Sequence, residues 1–477
     1  MSSRRRVRKL LIVGISALVI APMLATVASA LDLDWSGDEF ATQQGQWNWT
    51  ERASALALTN DGTDDITHLA FASDESDTGQ FPSYDCSKNN AVHQGVFHTS
   101  STDYLVTPGD RTRLSQDDMH AQRAALTAYD SYVVAGWITQ ICYFFYYDHQ
   151  GTPVAQLPRV PYVRVSADHG ETWGTTVKLG GLKGRVDYID LASSSPGVIL
   201  ASWTNAKNGA ILVARSVNSG GTWTIEKVGK TTRRYRTAYG KEGYGGFPGV
   251  GIDAGVNGGD DAVVSWIGAK GKLIARVSNN IDAAGDWGPE VVIQPKGVSS
   301  HNNFPNLDGV EDRIGLAWTG AFRGKYIEYD GDSDTWGTKN PFLLLPDNTQ
   351  APPHVALSSP MPFLNGATDV AIGYGGCEKK PCDTGYYDTA QRIDLMWTFS
   401  PSNGDPGSWQ TPETVAAAGS CAPTPAQNCY LNELPSGIWA DTDGDTDDDQ
   451  VLVYNRWNVT FTAYLLRRVA GENPTVP

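Results

Sequence analysis

Ser166-Ala-Asp168-His-Gly170-Glu-Thr172-Trp173 decides the fold, because the chain repeats this stretch fifty residues later as Ser216-Val-Asn218-Ser-Gly220-Gly-Thr222-Trp223. Each copy follows an apolar run with the composition of a β-strand, Tyr162-Val-Arg-Val165 in the first case and Ile211-Leu-Val-Ala214 in the second. Short polar side chains beside glycines are typical of tight turns. A strand, a turn and a Trp that recur together indicate a fold built from repeats.

A larger unit, two apolar segments of which the second ends in an aromatic residue, recurs seven times. The first segments are 53–58, 124–127, 188–192, 250–253, 305–307, 354–357 and 437–440. The aromatic ends are Phe71, Trp137, Trp203, Trp266, Trp318, Tyr374 and Tyr454. They lie 52 to 80 residues apart, which leaves room for four strands per unit. We therefore predict an all-β propeller over residues 51–470 with seven four-stranded blades, and six blades as the alternative.

The first thirty residues have the pattern of a secretory signal peptide. Five basic residues between positions 4 and 9 precede an apolar run from Leu10 to Val27, which ends in Ala28-Ser-Ala30. Removal of residues 1–30 lowers the formal net charge from −16 by five to −21. We expect a secreted or extracytoplasmic protein that does not insert into membranes and, given this charge, does not bind nucleic acid.

The last repeat lacks a fourth strand after Arg468, and a propeller ring has to close. We predict that residues 31–50, with Trp35, Trp47 and Trp49, pack on the last blade or supply its missing outer strand. The alternative is an unstructured N-terminal tail. Residues 471–477 are expected to be a C-terminal tail, and the protein is expected to be a monomer.

Six cysteines in an exported chain are expected to form disulfides. Cys86 and Cys142 occupy the loop between the second and third strands of adjacent repeats, so the propeller brings them together. The two remaining predicted pairs each share one loop and are Cys377 with Cys382 and Cys421 with Cys429.

An acidic loop follows the first strand of the last repeat and contains Asp441, Asp443, Asp445, Asp447 and Asp449. Alternating carboxylates around a glycine present several oxygen ligands of the kind that Ca²⁺ prefers. The stretch resembles the calcium loops of FG-GAP-type propeller repeats. We expect a structural Ca²⁺ here, or else a solvated acidic turn, and we expect no cofactor to be required.

The repeated Ser-x-Asp-x-Gly-x-Thr-Trp stretch resembles the Asp box, or BNR repeat, of sialidase-like β-propellers. Asp168 or Asn218 can accept backbone N–H bonds within the turn, and Gly170 or Gly220 can adopt a positive φ. We therefore expect both copies to be structural turns between third and fourth strands, on the face away from the long loops. The resemblance implies an arginine triad that binds a sugar carboxylate, a Tyr nucleophile paired with a Glu, and an Asp as acid/base. Candidates for these catalytic roles, chosen by residue type and loop placement, are Tyr244, Glu242 and Asp187.

The candidates for substrate binding are arginines. Arg233, Arg234 and Arg236 lie in a segment that has five basic residues and no acid from 230 to 241. Arg52, Arg123 and Arg185 lie at the starts of three successive first strands. Arginine binds carboxylates through two parallel hydrogen bonds, and interleaved tyrosines stack on sugars. The alternatives are a solvated loop for the first group and ion pairs with nearby carboxylates for the second.

Two functions of different classes follow. One is an exported sialidase-like glycoside hydrolase that acts on glycans by hydrolysing terminal sialosides. The other is a non-catalytic propeller that binds a glycan or glycoprotein, since the Phe-Arg-Ile-Pro signature of the family is absent and the first repeat begins Glu51-Arg52-Ala-Ser. The sequence contains no His-Glu-x-x-His motif, no Gly-x-Ser-x-Gly motif and no phosphate-binding Gly-rich loop, which disfavours metalloenzymes, serine hydrolases and nucleotide enzymes.

Overall fold

The structure is a computed structural model that describes part of the chain. The described residues are 34–35, 39–41, 51–73, 95–116, 121–139, 160–180, 186, 188–194, 197–232, 234–236, 242–244, 248–253, 261–296, 305–319, 324–342, 361–365, 369–376, 394–402, 404–405, 407–416, 431–440, 449–457 and 463–471. The predicted signal peptide, residues 1–30, lies outside them.

The first four sheets follow the chain order and are antiparallel. Sheet 1 contains β3 (Glu51–Asn60), β4 (Asp65–Ser73), β5 (Gly95–Ser101) and β6 (Thr112–Arg113). Sheet 2 contains β7 (Ala121–Tyr129), β8 (Tyr132–Thr139), β9 (Val160–Ser166) and β10 (Val177–Lys178). Sheet 3 contains β11 (Asp190–Ser194), β12 (Val198–Asn205), β13 (Ala210–Ser216) and β14 (Thr224–Lys230). Sheet 4 contains β17 (Gly249–Ile252), β18 (Ala262–Ile267), β19 (Leu273–Ser278) and β20 (Val291–Gln294), with a 3-10 helix at Ala269–Gly271.

The remaining sheets include two in which two short segments share the outermost position. Sheet 5 contains β21 (Asn306–Val310), β22 (Arg313–Thr319) and β23 (Gly324–Asp330), and both β24 (Thr335–Trp336) and β25 (Asn340–Phe342) pair with β23. Sheet 6 contains β26 (Met361–Asn365), β27 (Asp369–Gly376), β28 (Asp394–Ser400) and β29 (Glu413–Ala416). Sheet 7 contains β30 (Leu431–Ala440), β31 (Asp449–Trp457) and β32 (Ala463–Gly471), and both β1 (Asp34–Trp35) and β2 (Glu39–Phe40) pair with β32. A separate hairpin consists of β15 (Arg234–Arg236) and β16 (Glu242–Tyr244).

The first strands of the sheets form a closed ring. Each of β3, β7, β11, β17, β21, β26 and β30 contacts the first strand of the next sheet, and β30 contacts β3. Sheets arranged radially in this way define a β-propeller. The prediction of an all-β propeller is confirmed.

The core lies between neighbouring sheets rather than within one. The second strand of each sheet is packed on both faces, which explains a run such as Val198-Ile-Leu-Ala-Ser-Trp203 in which every residue is buried. Trp203 of sheet 3 belongs to the same apolar cluster as Val134 and Val163 of sheet 2. The predicted aromatic ends of the second strands are all buried, with exposures of 0–2%. Burial of these side chains against a neighbouring sheet therefore holds the ring together.

The first strand of sheet 6 differs from its prediction. The sequence predicted residues 354–357, which lie outside the described residues, whereas the structure forms β26 at Met361–Asn365. Pro362 lies in this strand opposite Ile372. Proline lacks an N–H donor and is tolerated in edge strands, and a first strand is the edge of its sheet beside the central channel.

The N-terminal segment pairs with the last strand of the chain. In β1, Asp34 lies opposite Gly471 and Trp35 opposite Ala470, and in β2, Glu39 lies opposite Arg467 and Phe40 opposite Leu466. Ala41 follows β2, is fully buried, and packs in a cluster with Phe71 of sheet 1 and Val453 of sheet 7. The segment thus occupies the outermost position of sheet 7 and contributes to the contact between the last and first sheets.

Among the residues that the structure describes, no helix is both long enough and apolar enough to cross a membrane.

Candidate functional site

The centre of the ring is a cavity of about 490 Å³. It is lined by first-strand residues from all of the sheets, including Asp190, Asp308, Ser436 and Trp439, and by Tyr188, which precedes β11. Long connections lead into and out of the same end of the ring, the end where the first strands begin. We call this end of the ring the mouth. A concave site at the axis, surrounded by loops, is the usual place for ligand binding in such a fold.

Side chains of the first strands hydrogen-bond the backbone of the next first strand. The Val250 N–H donates to Oδ2 of Asp190 at 2.9 Å, and the Leu364 N–H donates to Oδ2 of Asp308 at 2.8 Å. At the junction of the last and first sheets, the Leu56 N–H donates to Oγ of Ser436 at 2.8 Å. Each first strand is the edge of its sheet, so the N–H groups on its free side have no partner in another strand. The side chains of Asp190, Asp308 and Ser436 accept hydrogen bonds from three of these N–H groups.

Burial raises the pKa of both channel carboxyls. The pKa of Asp190 is raised to about 7, chiefly by desolvation and further by the nearby charge of Asp308. Desolvation likewise raises the pKa of Asp308 to about 6, although the Leu364 and Gly309 N–H groups and the charge of Arg313 oppose the shift. Two carboxyls of raised pKa that line one cavity are a candidate functional pair, which sequence analysis missed. The available signal was an Asp inside each of the otherwise apolar segments Ile189-Asp190-Leu and Leu307-Asp308-Gly.

Replacement of Asp190 by Asn is expected to change how stability depends on pH. The folded pKa of about 7 lies above the unfolded value near 3.9, so the contribution of Asp190 is fully present below about pH 4 and is lost as the pH rises through 7. The Asn oxygen still accepts the Val250 N–H. Urea denaturation at pH 5 and pH 8 should show that Asp190→Asn gains about 1–3 kcal/mol relative to the wild type between these two values. A difference that is the same at both pH values would contradict the raised pKa.

Three consecutive first strands carry a β-bulge near the mouth. The strand register shifts between Arg52 and Ala55 in β3, between Gln122 and Ala125 in β7, and between Glu433 and Ser436 in β30. Bulges bend a strand, redirect side chains and are common beside active sites. The backbone of Arg52 and the backbone of Arg123 lie at the mouth, on neighbouring sheets. The other predicted residues at this end, Arg185 and Asp187, lie outside the described residues.

The hairpin of β15 and β16 brings four of the predicted site residues together. Arg234 lies opposite Tyr244, and Arg236 lies opposite Glu242. Directly opposed residues and residues two apart share a face of an antiparallel ribbon. The backbone register therefore brings these four positions close together on the hairpin. Arg233 lies outside the described residues.

The calcium and disulfide predictions fall almost entirely outside the described residues. Of the five predicted calcium ligands, the structure describes Asp449, which is buried at the start of β31 opposite Ala440. Asp441, Asp443, Asp445 and Asp447 lie outside, as do all six cysteines. Within the described ranges, no group of three or more His, Cys, Asp or Glu side chains is placed to hold a metal ion. The calcium site and the three disulfides stay predictions.

The repeated stretch forms the turn between the third and fourth strands of sheets 2 and 3. In the first box turn, residues 166–173, Oγ of Ser166 accepts the Gly170 N–H at 2.9 Å, and Oδ1 of Asp168 accepts the Thr172 N–H at 2.8 Å. The second box turn, residues 216–223, repeats these bonds with Ser216 and Asn218. Both turns lie beside turns that join first to second strands, at the end of the ring away from the mouth. The predicted structural role and face agree with this geometry.

A box turn in sheet 1 was missed by the sequence analysis. The Asp103 and Leu105 N–H groups donate to Oγ of Ser101 at 3.0 and 3.1 Å, and the Thr107 N–H donates to Oδ1 of Asp103 at 3.0 Å. These are the bonds of the first box turn. Leu105 stands where the other turns have glycine and adopts a φ of 66°. A buried leucine in that place and the absence of the Trp hide the motif in the sequence.

The glycine of each box turn packs against the third strand of the preceding sheet. A Cβ on Gly170 would lie 2.7 Å from Cε1 of His98, and a Cβ on Gly220 would lie 2.6 Å from Cγ2 of Val165. In sheet 6, a Cβ on Gly404 would lie 2.5 Å from Cδ1 of Tyr326. The box turns therefore fasten neighbouring sheets together at the end opposite the mouth, which leaves the mouth as the candidate functional end.

No model of a known protein family matches this chain, and no curated protein sequence matches it. Solved structures are similar in fold at low identity. One is a protein of unknown function from Dyadobacter fermentans (TM-score 0.45, 11% identity, 89% of this chain and 95% of that chain covered). Another is the leech intramolecular trans-sialidase complexed with 2,7-anhydro-Neu5Ac (TM-score 0.45, 9% identity, 91% and 70% covered). A third is the six-bladed fungal lectin from Aleuria aurantia (TM-score 0.39, 12% identity, 76% and 98% covered).

Proposed function

We propose that this chain is an exported β-propeller that binds an acidic glycan, free or on a glycoprotein, at the mouth of its ring. The register of the β15–β16 hairpin carries the proposal, because it opposes Arg234 to Tyr244 and Arg236 to Glu242. The hairpin lies in the connection from β14 of sheet 3 to β17 of sheet 4, and β17 lines the central cavity. A ligand bound at the mouth would meet the hairpin before the cavity.

The chemistry of the hairpin favours a carboxylate on a sugar. A guanidinium forms two parallel, charge-assisted hydrogen bonds with a carboxylate, and a tyrosine ring offers an apolar face to a sugar ring. The hairpin lies in a basic segment of a chain whose formal net charge is −16, so an acidic ligand is attracted to this segment and repelled by most of the remaining surface. A neutral glycan would gain little from the arginines.

Hydrolysis of a terminal sialoside is the more specific form of the proposal. Glu242 and Tyr244 are two residues apart on β16, so they share a face, as a Tyr nucleophile and its Glu partner require. A neutral nucleophile suits an anionic sugar because a carboxylate nucleophile would be repelled. Asp187 would serve as acid/base, and Arg52, Arg123 and Arg185 would hold the carboxylate. Release of the leaving group distinguishes this form from binding alone.

Binding of 3′-sialyllactose and lactose, measured by calorimetry, tests the proposal. The wild type should bind the sialylated sugar and not lactose, and Arg234→Ala should weaken binding at least tenfold because a charge-assisted bond contributes about 1.5–3 kcal/mol. Lys207→Ala removes an exposed cation from the mouth-side turn of sheet 3 and should leave binding unchanged. Equal affinity for both sugars, or equal effects of the two variants, would refute the proposal.

Turnover of a fluorogenic sialoside tests the hydrolytic form. Tyr244→Phe should abolish release of the fluorophore and keep binding of 3′-sialyllactose. Binding without release by the wild type would leave the non-catalytic form as the function.

A further inference from the structure

Three histidines meet between sheets 1 and 2 at the end of the ring opposite the mouth. His68 lies on β4 and His98 on β5, and both side chains are buried at 0% and 2% exposure. His169 belongs to the first box turn of sheet 2 and adopts a φ of 52°. The glycan site proposed at the mouth does not include these three residues.

A continuous set of hydrogen bonds joins the three rings. Nδ1 of His68 lies 3.1 Å from Nε2 of His98, and Nε2 of His68 lies 2.8 Å from Oγ1 of Thr59. The same Thr59 oxygen lies 3.0 Å from Nδ1 of His169. Sheet 1 and the box turn of sheet 2 are thus connected through imidazole nitrogens.

The first box turn also packs directly on the two buried rings. The indole of Trp173 meets the His98 ring edge-on, with 5.0 Å between centroids. The position that a Cβ on Gly170 would take lies 3.2 Å from Nδ1 of His68 and 2.7 Å from Cε1 of His98. The box turn has no space to move closer to the two histidine rings. Any movement that separates the rings from each other therefore has to push the turn away from sheet 1.

We propose that this histidine cluster is an acid-released latch that holds the box turn of sheet 2 on sheet 1 at neutral pH and frees it on acidification. The proposal is independent of the proposed function. Because β3 and β7 belong to these two sheets and carry Arg52 and Arg123, release of the latch would loosen the contact between the sheets that bear both arginines.

The direction of the switch follows from the proton requirements of the cluster. The bond between Nδ1 of His68 and Nε2 of His98 needs one nitrogen without a proton, so a second proton breaks it. The groups that act electrostatically on His68 are His98 of β5 and His169 of the box turn, both cationic when protonated. Asp61, in the turn after β3, acts on His169. A proton on His68 would therefore meet the like charges of protonated His98 and His169, whereas the carboxylate of Asp61 acts on His169 and not on His68.

Burial agrees with this direction. Desolvation lowers the pKa of His68 to about 3, with further lowering by His98 and His169, and desolvation lowers the pKa of His98 to about 4. A released, solvated imidazole has a pKa near 6.5. Stability of the latch is therefore fully present above about pH 6.5 and is lost as the pH falls toward 4, by tenfold per pH unit for each histidine that takes up a proton on opening.

Hydrogen exchange of the two box turns in the wild-type protein tests the latch. The second box turn is a matched internal control, because it makes the same turn bonds but packs on Val165 instead of histidine. Between pH 6.5 and 4.5, after correction for intrinsic exchange, the protection of residues 166–173 should fall tenfold to a hundredfold per pH unit. The protection of residues 216–223 should stay constant. Parallel loss at both turns, or full protection of both down to pH 4.5, would overturn the proposal.

Two variants separate the histidines from other titrating groups. Asp168→Asn gives the first turn the amide that Asn218 provides in the second, and the pH-dependent loss should persist in this variant. His98→Gln should reduce the loss at residues 166–173 by tenfold per pH unit, since one proton fewer is taken up. If His98→Gln does not fold, the comparison of the two turns in the wild type and in Asp168→Asn still decides. Disappearance of the effect in Asp168→Asn would assign it to the carboxyl and refute the latch.

Discussion

Gly170→Ala is expected to lower the free energy of unfolding by about 2–5 kcal/mol. Gly170 has a φ of 80°, which costs an alanine about 1–2 kcal/mol. Its new methyl group would also lie 2.7 Å from Cε1 of His98, within a cluster of hydrogen-bonded and buried rings. Overpacking of a buried site adds about 1–3 kcal/mol. Urea denaturation at pH 7.5 measures the loss.

Gly285→Ala is the matched control for Gly170→Ala. Gly285 has the same φ of 80° in the corresponding turn of sheet 4, but no atom lies within 4 Å of the position of its Cβ. This variant should lose only the backbone contribution of about 1–2 kcal/mol. If the two variants lose the same amount, the contact between the box turn and sheet 1 is not what makes Gly170 necessary.

Deletion of residues 31–41 is expected to lower the free energy of unfolding by about 3–6 kcal/mol. The deletion removes four residue pairs with β32, at about 1 kcal/mol for each hydrogen bond, and takes the buried Ala41 out of the cluster with Phe71 and Val453. Thermal unfolding measures the effect, and a peptide of residues 31–45 added in trans should restore part of the loss. Deletion of residues 472–477, which follow β32, is the control. Equal melting temperatures for the wild type and both deletions would contradict the closing role.

The parts of the fold that could be predicted from the sequence are those set by local chemistry. Second strands such as Val198–Asn205 are packed on both faces, so their apolar runs and aromatic ends are visible in the sequence. The box turns at 166–173 and 216–223 are visible because each needs a hydroxyl, a short polar side chain and a glycine at fixed spacing. A sequence pattern that is determined within a single strand or a single turn can therefore be predicted.

The parts that could not be predicted depend on neighbouring sheets. β26 contains Pro362, which would interrupt an inner strand of a sheet but not an edge strand beside a channel. The box turn of sheet 1 was hidden because Leu105 serves the apolar core at the cost of an unfavourable φ. In both cases the position of the residue in the assembled ring, which the sequence does not display, outweighs the local preference.

The candidate site was predicted only in part for the same reason. The sequence located the basic segment and its tyrosines, but the pairing of Arg234 with Tyr244 depends on a hairpin register. The carboxyls of Asp190 and Asp308 come from strands that are far apart in the chain, and their raised pKa values arise from the channel that the closed ring creates. Burial and proximity across sheets are properties of the assembled ring.

The two titrating clusters act on stability with opposite signs. Acidification below pH 6.5 destabilises the histidine cluster of His68 and His98, whereas acidification below pH 7 stabilises the channel through Asp190 and Asp308. The first effect acts at the box-turn end of the ring, and the second acts in the central cavity. We therefore expect pH to redistribute local stability between the central cavity and the box-turn end more than it changes the total free energy of unfolding.

The pairing of β1 with β32 also has a consequence for the order of folding. Asp34 and Gly471 lie opposite each other although almost the whole chain separates them, and the entropy lost on closing a loop grows with its length. Sheets 1 to 6 each consist of strands that are consecutive in the chain, so they can form from local contacts while sheet 7 is incomplete. Completion of the last sheet needs both ends of the chain, so we expect it to be the concluding step of folding.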